Sequence, residues 1–275
     1  MIKSPINIVV QINKVGFTMH LLLCNDDGYK AKGIQVLANY LSSLGHKITV
    51  VAPNGERSAQ SHAMTFYQPV CVTQVSENIY AVDGSPADCA AIALSHILKT
   101  DPPDFVVSGI NHGLNVGIDV NYSGTVGAAT EAALMGFRAI AVSADTDSLQ
   151  PDSLESLFTQ ASHIVEQVIS NSSSMDWPNL EILNINVPQK AKNIAFAECG
   201  GESLYVPHIE ELIPSQKKNT KIYLIGGLAR FEPQDMSQDV SLITTNHVTL
   251  SFVRTKQSSS GRNKNLEKII GSIKL

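Results

Sequence analysis

Apolar runs and amphipathic stretches alternate along this chain from Met19 to about residue 190. Leu21–Cys24 is a short, continuously apolar run, the pattern of a strand buried on both faces. From Lys32 to Leu44, Ile34, Leu37, Ala38 and Leu41 share one face of a helix, and Gly45 is placed as its stop. Lys47–Ala52 predicts a second buried strand ending at Pro53, and Val70–Val75 with Ile79–Val82 predicts a short hairpin. Helices follow over Asp88–Lys99, Gly124–Gly136 and Leu154–Ile169. Between and after them, strands fall at Phe105–Gly109, Ala139–Ser143 and Glu181–Val187. Continuous apolar strands separated by helices predict an α/β fold with a doubly wound, mostly parallel, Rossmann-like sheet.

After about Ala191 the helical periodicity fades. Short alternating segments at Lys221–Ile225, Val240–Thr244 and Val248–Val253 predict a C-terminal β-rich arm. The chain is therefore read as an extension (1–18), an α/β core (19–190) and a β-rich appendage with a tail (191–275). In the extension, the apolar run Ile6–Ile12 is short and lacks a small-residue cleavage site, unlike a secretory signal. It is either an upstream addition from a misplaced start or an extra strand. The tail from Lys256 is rich in Ser, Asn and Lys, and without an aromatic platform its charge reads as a solvated end.

Composition narrows the function classes. A hydrophobic fraction of 43% and a charged fraction of 16% fit a globular chain. The net charge of −5 argues against a surface that coats a nucleic-acid polymer. No apolar run approaches the length of a membrane span, so no membrane partner is expected. The four cysteines are widely spaced with no CxxC pair, which reads as reduced thiols in a cytoplasmic protein.

Three predicted strand ends carry polar, glycine-rich loops. The first is Asn25-Asp26-Asp27-Gly28, the second Ala52 to Ser61, and the third Ser108 to Gly117, leading on to Tyr122-Ser123-Gly124-Thr125-Val126-Gly127. In a parallel sheet all three converge on one edge, where ligands bind. Adjacent carboxylates at the end of a buried strand are costly unless paired or metal-bound, and hard oxygen donors suit Mg²⁺ or Mn²⁺. A turn with a helix N-cap fits the same tetrapeptide, because Asn, Asp and Gly favour such positions. In the third loop, Ser123 is a natural N-cap, and the first N–H groups of the following helix suit an anion such as phosphate. An ordinary capped helix fits equally. No Walker A loop and no G-x-G-x-x-G motif occurs. The scattered histidines lack HExxH or HxH spacing, although His112, beside Asn111, is positioned to act as a proton donor or simply to face solvent.

In their order and spacing these segments resemble the SurE family of metal-dependent 5′/3′-nucleotidases, from Met19 to about Val253. The matching pieces are Asn25–Gly28, Ala52-Pro53 with Arg57-Ser58, Gly84–Cys89, Ser108–Asn111, Asp119-Val120 with Tyr122–Ala129, and Ile182–Pro188. The resemblance implies one divalent metal ion, Mg²⁺ or Mn²⁺, on Asp26, Asp27, Ser58 and Asn111. It implies phosphate contacts from Asn115, Ser123, Gly124 and Thr125, with Asp26 and Asp27 as the catalytic pair. The substrates implied are nucleoside monophosphates, with short polyphosphate as a further option. The assembly implied is a homodimer or tetramer through the arm. The chain departs from the family at Asn54–Ala59, at Ser85 in Gly84-Ser85-Pro86 and at Asn246–Val253. Asp239 stands where the family has an acidic residue near the hinge, and reads as structural.

Two rival readings share some of these features. In a haloacid-dehalogenase-type phosphatase the acidic residues form Asp-x-Asp, whereas here they are adjacent and should point apart. A non-enzymatic receiver-like switch also has an acidic pair after its first strand, but the chain length, the third loop and the arm argue against it.

Overall fold

The computed structural model describes residues 18–172, 177–212, 220–229 and 235–255. All but the last residue of the expected N-terminal extension, and the tail from Lys256, lie outside them. In chain order the elements are β1 (His20–Cys24), α1 (Lys32–Ser43), β2 (Lys47–Pro53), β3 (Val72–Ser76), β4 (Ile79–Val82), α2 (Pro86–Ile92), β5 (Phe105–His112), α3 (Gly124–Leu134), β6 (Ala139–Ala144), α4 (Pro151–Asn171) and β7 (Glu181–Val187). They continue with β8 (Asn193–Phe196), β9 (Tyr205–Glu211), β10 (Tyr223–Ala229), α5 (Asp239–Thr244) and β11 (His247–Arg254).

Nine strands form one sheet in the order β3-β4-β2-β1-β5-β6-β7-β11-β8. The pairs β2–β4, β1–β2, β1–β5, β5–β6 and β6–β7 are parallel. Side chains alternate across each strand, so the sheet feeds two cores. Leu21 and Leu23 of β1 pack with Ile34, Leu37 and Leu41 of α1 and with Phe158 and Val165 of α4. Leu22 and Cys24 pack with Cys89 and Ala90 of α2 and with Ala128, Ala129 and Ala132 of α3. Helices thus cover both faces, which makes the sheet doubly wound. From β1 the chain moves outward to β2 on one side and later returns to β5 on the other, so the strand order reverses between β1 and β5. The crevice at such a reversal is where doubly wound sheets bind ligands.

The C-terminal part is β-rich as expected and carries an arm, but it also contributes strands to the main sheet. β11 pairs antiparallel with β7, and β8 parallel with β11, so both extend the main sheet. Among the described residues β9 and β10 form a separate antiparallel hairpin. Val240–Thr244, expected as an alternating strand-like segment, lies within helix α5, where Val240 and Ile243 fall on one side and bury against Val116 and Leu204. Six residues are too few for the 3.6-residue period to stand out from alternation. The helix expected over Asp88–Lys99 begins at Pro86, capped by Ser85, and changes at Ala93–Ile97 to one turn of π-helix.

Candidate active site

The loops after β1, β2 and β5 meet at the carboxyl edge of the sheet, tied by backbone hydrogen bonds. Asn25 closes the first loop on itself: its Oδ1 accepts from the Gly28 N–H at 3.1 Å and its Nδ2 donates to the Gly28 carbonyl at 2.9 Å. The second loop is stitched to the first. Tyr29 N–H donates to the Pro53 carbonyl at 2.9 Å, and Arg57 N–H to the Asp26 carbonyl at 2.7 Å. The third loop reaches the same place through His112 N–H, 3.3 Å from Asp27 Oδ2. Asp26 is thereby tied to the Arg57 peptide and Asp27 to the His112 peptide.

The two carboxylates take different surroundings, as adjacent residues leaving a strand should. Asp26 is buried and turned to the N-terminus of α3. Thr125 N–H donates to its Oδ2 at 3.1 Å, and Thr125 Oγ1 to its Oδ1 at 2.5 Å. Burial lifts the Asp26 pKa, while the Thr125 donors, and beyond them the Gly124 N–H, pull it back. The positive end of α3 adds to this support. Among the described residues Asp27 receives one long N–H bond, from His112. Its pKa is pushed up to about 7, by burial first and then by the Asp26 carboxylate. Among the described residues no Lys, Arg or His forms an ion pair with either group.

That imbalance is the observation against which a metal is tested. Two adjacent carboxylates without a cationic side chain are relieved by a divalent cation. Among the described residues no cluster of three or more His, Cys, Asp or Glu side chains could hold a metal ion. A cation here would therefore rest on two carboxylates and neutral oxygens, a hard donor set that fits Mg²⁺ or Mn²⁺. Ser58 Oγ would be one such oxygen; here it donates to Glu56 Oε1 at 3.0 Å. The Asn111 amide would be another: its Nδ2 donates to the Gly113 carbonyl at 2.9 Å, and its Oδ1 is the atom suited to a hard cation.

The helix N-terminus is more occupied than the sequence suggests. Ser123 caps α3 by accepting the Val126 N–H at 3.1 Å, and its carbonyl accepts the Gly127 N–H at 3.0 Å. With Thr125 N–H on Asp26, the first-turn amides already face oxygens of the chain itself. Two glycines permit this packing. A Cβ on Gly124 would lie 2.9 Å from Asp26 Oδ2, and one on Gly127 2.3 Å from the Ser61 carbonyl oxygen. Ser61, in turn, donates its N–H to the Tyr122 carbonyl at 3.0 Å and its hydroxyl to the Asn121 carbonyl at 2.6 Å.

Asn115 lies in the third loop and is buried, its Nδ2 donating to Ser143 Oγ at 2.8 Å. Ser143 also pairs in register with Asn111 across β6 and β5. His112 sets its ring edge-on to Phe158 at 4.9 Å, and burial lowers its pKa. A lowered pKa favours the neutral ring, which is a weaker proton donor than the imidazolium. Asp239 is fully buried and accepts from Gly117 N–H at 3.1 Å, Gly200 N–H at 3.0 Å and Val240 N–H at 2.9 Å. Residue-by-residue reading did not single out Ser143, Asn184 or Asn186. The alternation Asn184-Ile185-Asn186 carried a usable signal, because two amides on one face of a buried strand need a reason.

The sequence profile described as "Survival protein SurE" matches residues 21–204. A 5′-nucleotidase SurE of Pelobacter propionicus is 39% identical over 244 residues, spanning 85% of this chain and 92% of that protein. A 5′-nucleotidase SurE of Alkaliphilus metalliredigens is 36% identical over 264 residues, spanning 91% and 100%. The crystal structure of the SurE protein from Aquifex aeolicus aligns with a TM-score of 0.75 at 28% identity, covering 91% of this chain and 99% of that one.

Proposed function

The chain belongs to the survival protein SurE family, and from that premise we propose that it hydrolyses nucleoside 5′- and 3′-monophosphates to nucleoside and phosphate, with short polyphosphate as a further substrate. The observation that carries this reading is the Asp26–Asp27 pair, Asp26 buried against the α3 N-terminus and Asp27 partly buried beside it, with no cationic ion-pair partner among the described residues.

In this reading Asp26, Asp27, Ser58 and Asn111 hold one Mg²⁺ or Mn²⁺. The bound cation supplies a Lewis acid for the phosphate and for the attacking water. Thr125 and Gly124 fix Asp26, leaving it little freedom to take a proton. Asp27 has spare lone pairs and accepts the proton of the water. The Ser123 hydroxyl accepts Val126 N–H and still has its own O–H to donate. With the second N–H of the Asn115 amide, it holds the equatorial phosphate oxygens as charge builds there. Of the expected phosphate set, Ser123 and Asn115 thus touch the phosphate directly, while Gly124 and Thr125 act on it through Asp26.

Residues 19–190 carry this chemistry, and the β9–β10 hairpin serves assembly as a homodimer or tetramer. The exposed Ile209 and Ile225 support that role. No helix among the described residues is long and apolar enough to cross a membrane. With four free cysteines, that supports a cytoplasmic location.

The test is phosphate release by purified protein from nucleoside 5′- and 3′-monophosphates with added Mn²⁺ or Mg²⁺. Turnover that EDTA abolishes supports the reading. No release from any phosphomonoester with either metal overturns it.

A further inference from the structure

We propose that Asn186 is a positioning residue of the reaction: it clamps the backbone of Asn115 and so aims the Asn115 side chain. The proposal rests on the reading of Asn115 as a phosphate contact. Asn186 Oδ1 accepts the Asn115 N–H at 2.8 Å, and Asn186 Nδ2 donates to the Asn115 carbonyl at 3.0 Å. One side chain therefore grips both polar groups of one residue. Asn184 Nδ2 donates to the same carbonyl at 2.8 Å, which fills its second lone pair. The Asn115 amide itself is held on Ser143 Oγ at 2.8 Å. Asn184, Asn186 and Ser143 are fully buried.

Two features argue for function over packing. Asn184 and Asn186 interrupt a strand whose other inner positions, Ile182, Leu183, Ile185 and Val187, are apolar. An apolar residue in their place would avoid the cost of burying an amide. In addition, the register runs Asn186–Ser143 and Ser143–Asn111 across β7, β6 and β5. The clamp on the phosphate loop and the Asn111 arm of the metal site thus share one row of the sheet. Residues 113–116 have no ladder of their own. The rigid strands provide the fixed geometry that catalytic groups on a loop require.

A double-mutant cycle tests this, with kcat and KM for a nucleoside monophosphate and Mn²⁺ affinity measured on each protein. Asn186→Leu should lower kcat/KM at least about ten-fold in the wild-type background but less than about three-fold in the Asn115→Ala background, since coupled residues are non-additive. Mn²⁺ affinity should stay unchanged. An equal loss in both backgrounds overturns the clamp. If Asn115→Ala alone leaves kcat/KM unaltered, the phosphate role of Asn115 fails, a result distinct from additivity. Should Asn186→Leu not fold, Ser143→Ala, which frees the Asn115 amide without touching its peptide, goes through the same cycle with the same two outcomes.

Discussion

Thr125 grips the Asp26 carboxylate twice, through its backbone N–H at 3.1 Å and its hydroxyl at 2.5 Å. A residue on α3 thereby fixes a residue at the end of β1, 99 positions away in sequence. The hydroxyl can be removed while the N–H is kept. Thr125→Val should cost about 1–3 kcal/mol of stability, the range for a lost hydrogen bond to a buried charge. It should also raise the Asp26 pKa further, shifting the acid limb of the pH–rate profile upward. Urea unfolding and a pH profile of kcat/KM check both effects.

Crowding at the N-terminus of α3 gives a second expectation. The added methyl of Gly127→Ala meets the Ser61 carbonyl oxygen at 2.3 Å, on the loop that carries Ser58. The clash is with backbone, so the loop must move. We expect a stability loss of about 1–3 kcal/mol and weaker Mn²⁺ binding, read by thermal unfolding and by titration.

Asp27 makes the metal-free protein sensitive to pH. Its folded pKa of about 7 lies above the ordinary value of 3.8, so the folded state holds the proton more tightly than the unfolded one. The stabilisation from that proton is complete below about pH 4 and is lost as the pH rises through about 7. In EDTA, wild type should therefore lose stability relative to Asp27→Asn across this window. Added Mg²⁺ or Mn²⁺ should restore it most at pH 8, where no proton competes. Thermal unfolding of both proteins between pH 4 and 8 measures this; parallel curves would contradict it.

Asp239 ties three segments together through the N–H groups of Gly117, Gly200 and Val240. Asp239→Leu leaves those donors buried without an acceptor, at about 1–3 kcal/mol for each group left unpaired. The variant should unfold at markedly lower urea, with any loss of activity following loss of fold.

Much of this arrangement was readable from residue patterns, for identifiable reasons. β1, β2, β6 and the first half of β5 are buried on both faces, so each reads as an apolar run, and β7 does so apart from Asn184 and Asn186. α1 shows a one-sided stripe that ends at Gly45. The three polar loops follow those strands directly, and the parallel order brings them together. The C-terminal part was harder. β8 and β9 are short or largely exposed and show little alternation to read. Whether β11 joins the core sheet or an arm depends on pairing with β7, a long-range contact that local pattern does not encode. Asp26 and Asp27 stood out as an adjacent pair, but their unequal surroundings did not. That asymmetry comes from Thr125 and from the His112 N–H, both distant in sequence. The first-turn amides of α3 were expected to face an anion, and the nearest one is a carboxylate of the chain itself.

In the proposed reaction Asp26 and Asp27 hold the cation on which phosphomonoester hydrolysis depends. The most direct measurement is phosphate release from a nucleoside 5′-monophosphate by wild type and Asp27→Asn, each stripped with EDTA and then resupplied with Mn²⁺. Wild type should recover its activity on resupply, while Asp27→Asn should stay at least about a hundred-fold lower, the scale of losing an electrostatic contact made in the transition state. Equal activity in the two proteins, or full activity of the stripped wild type, would contradict the claim.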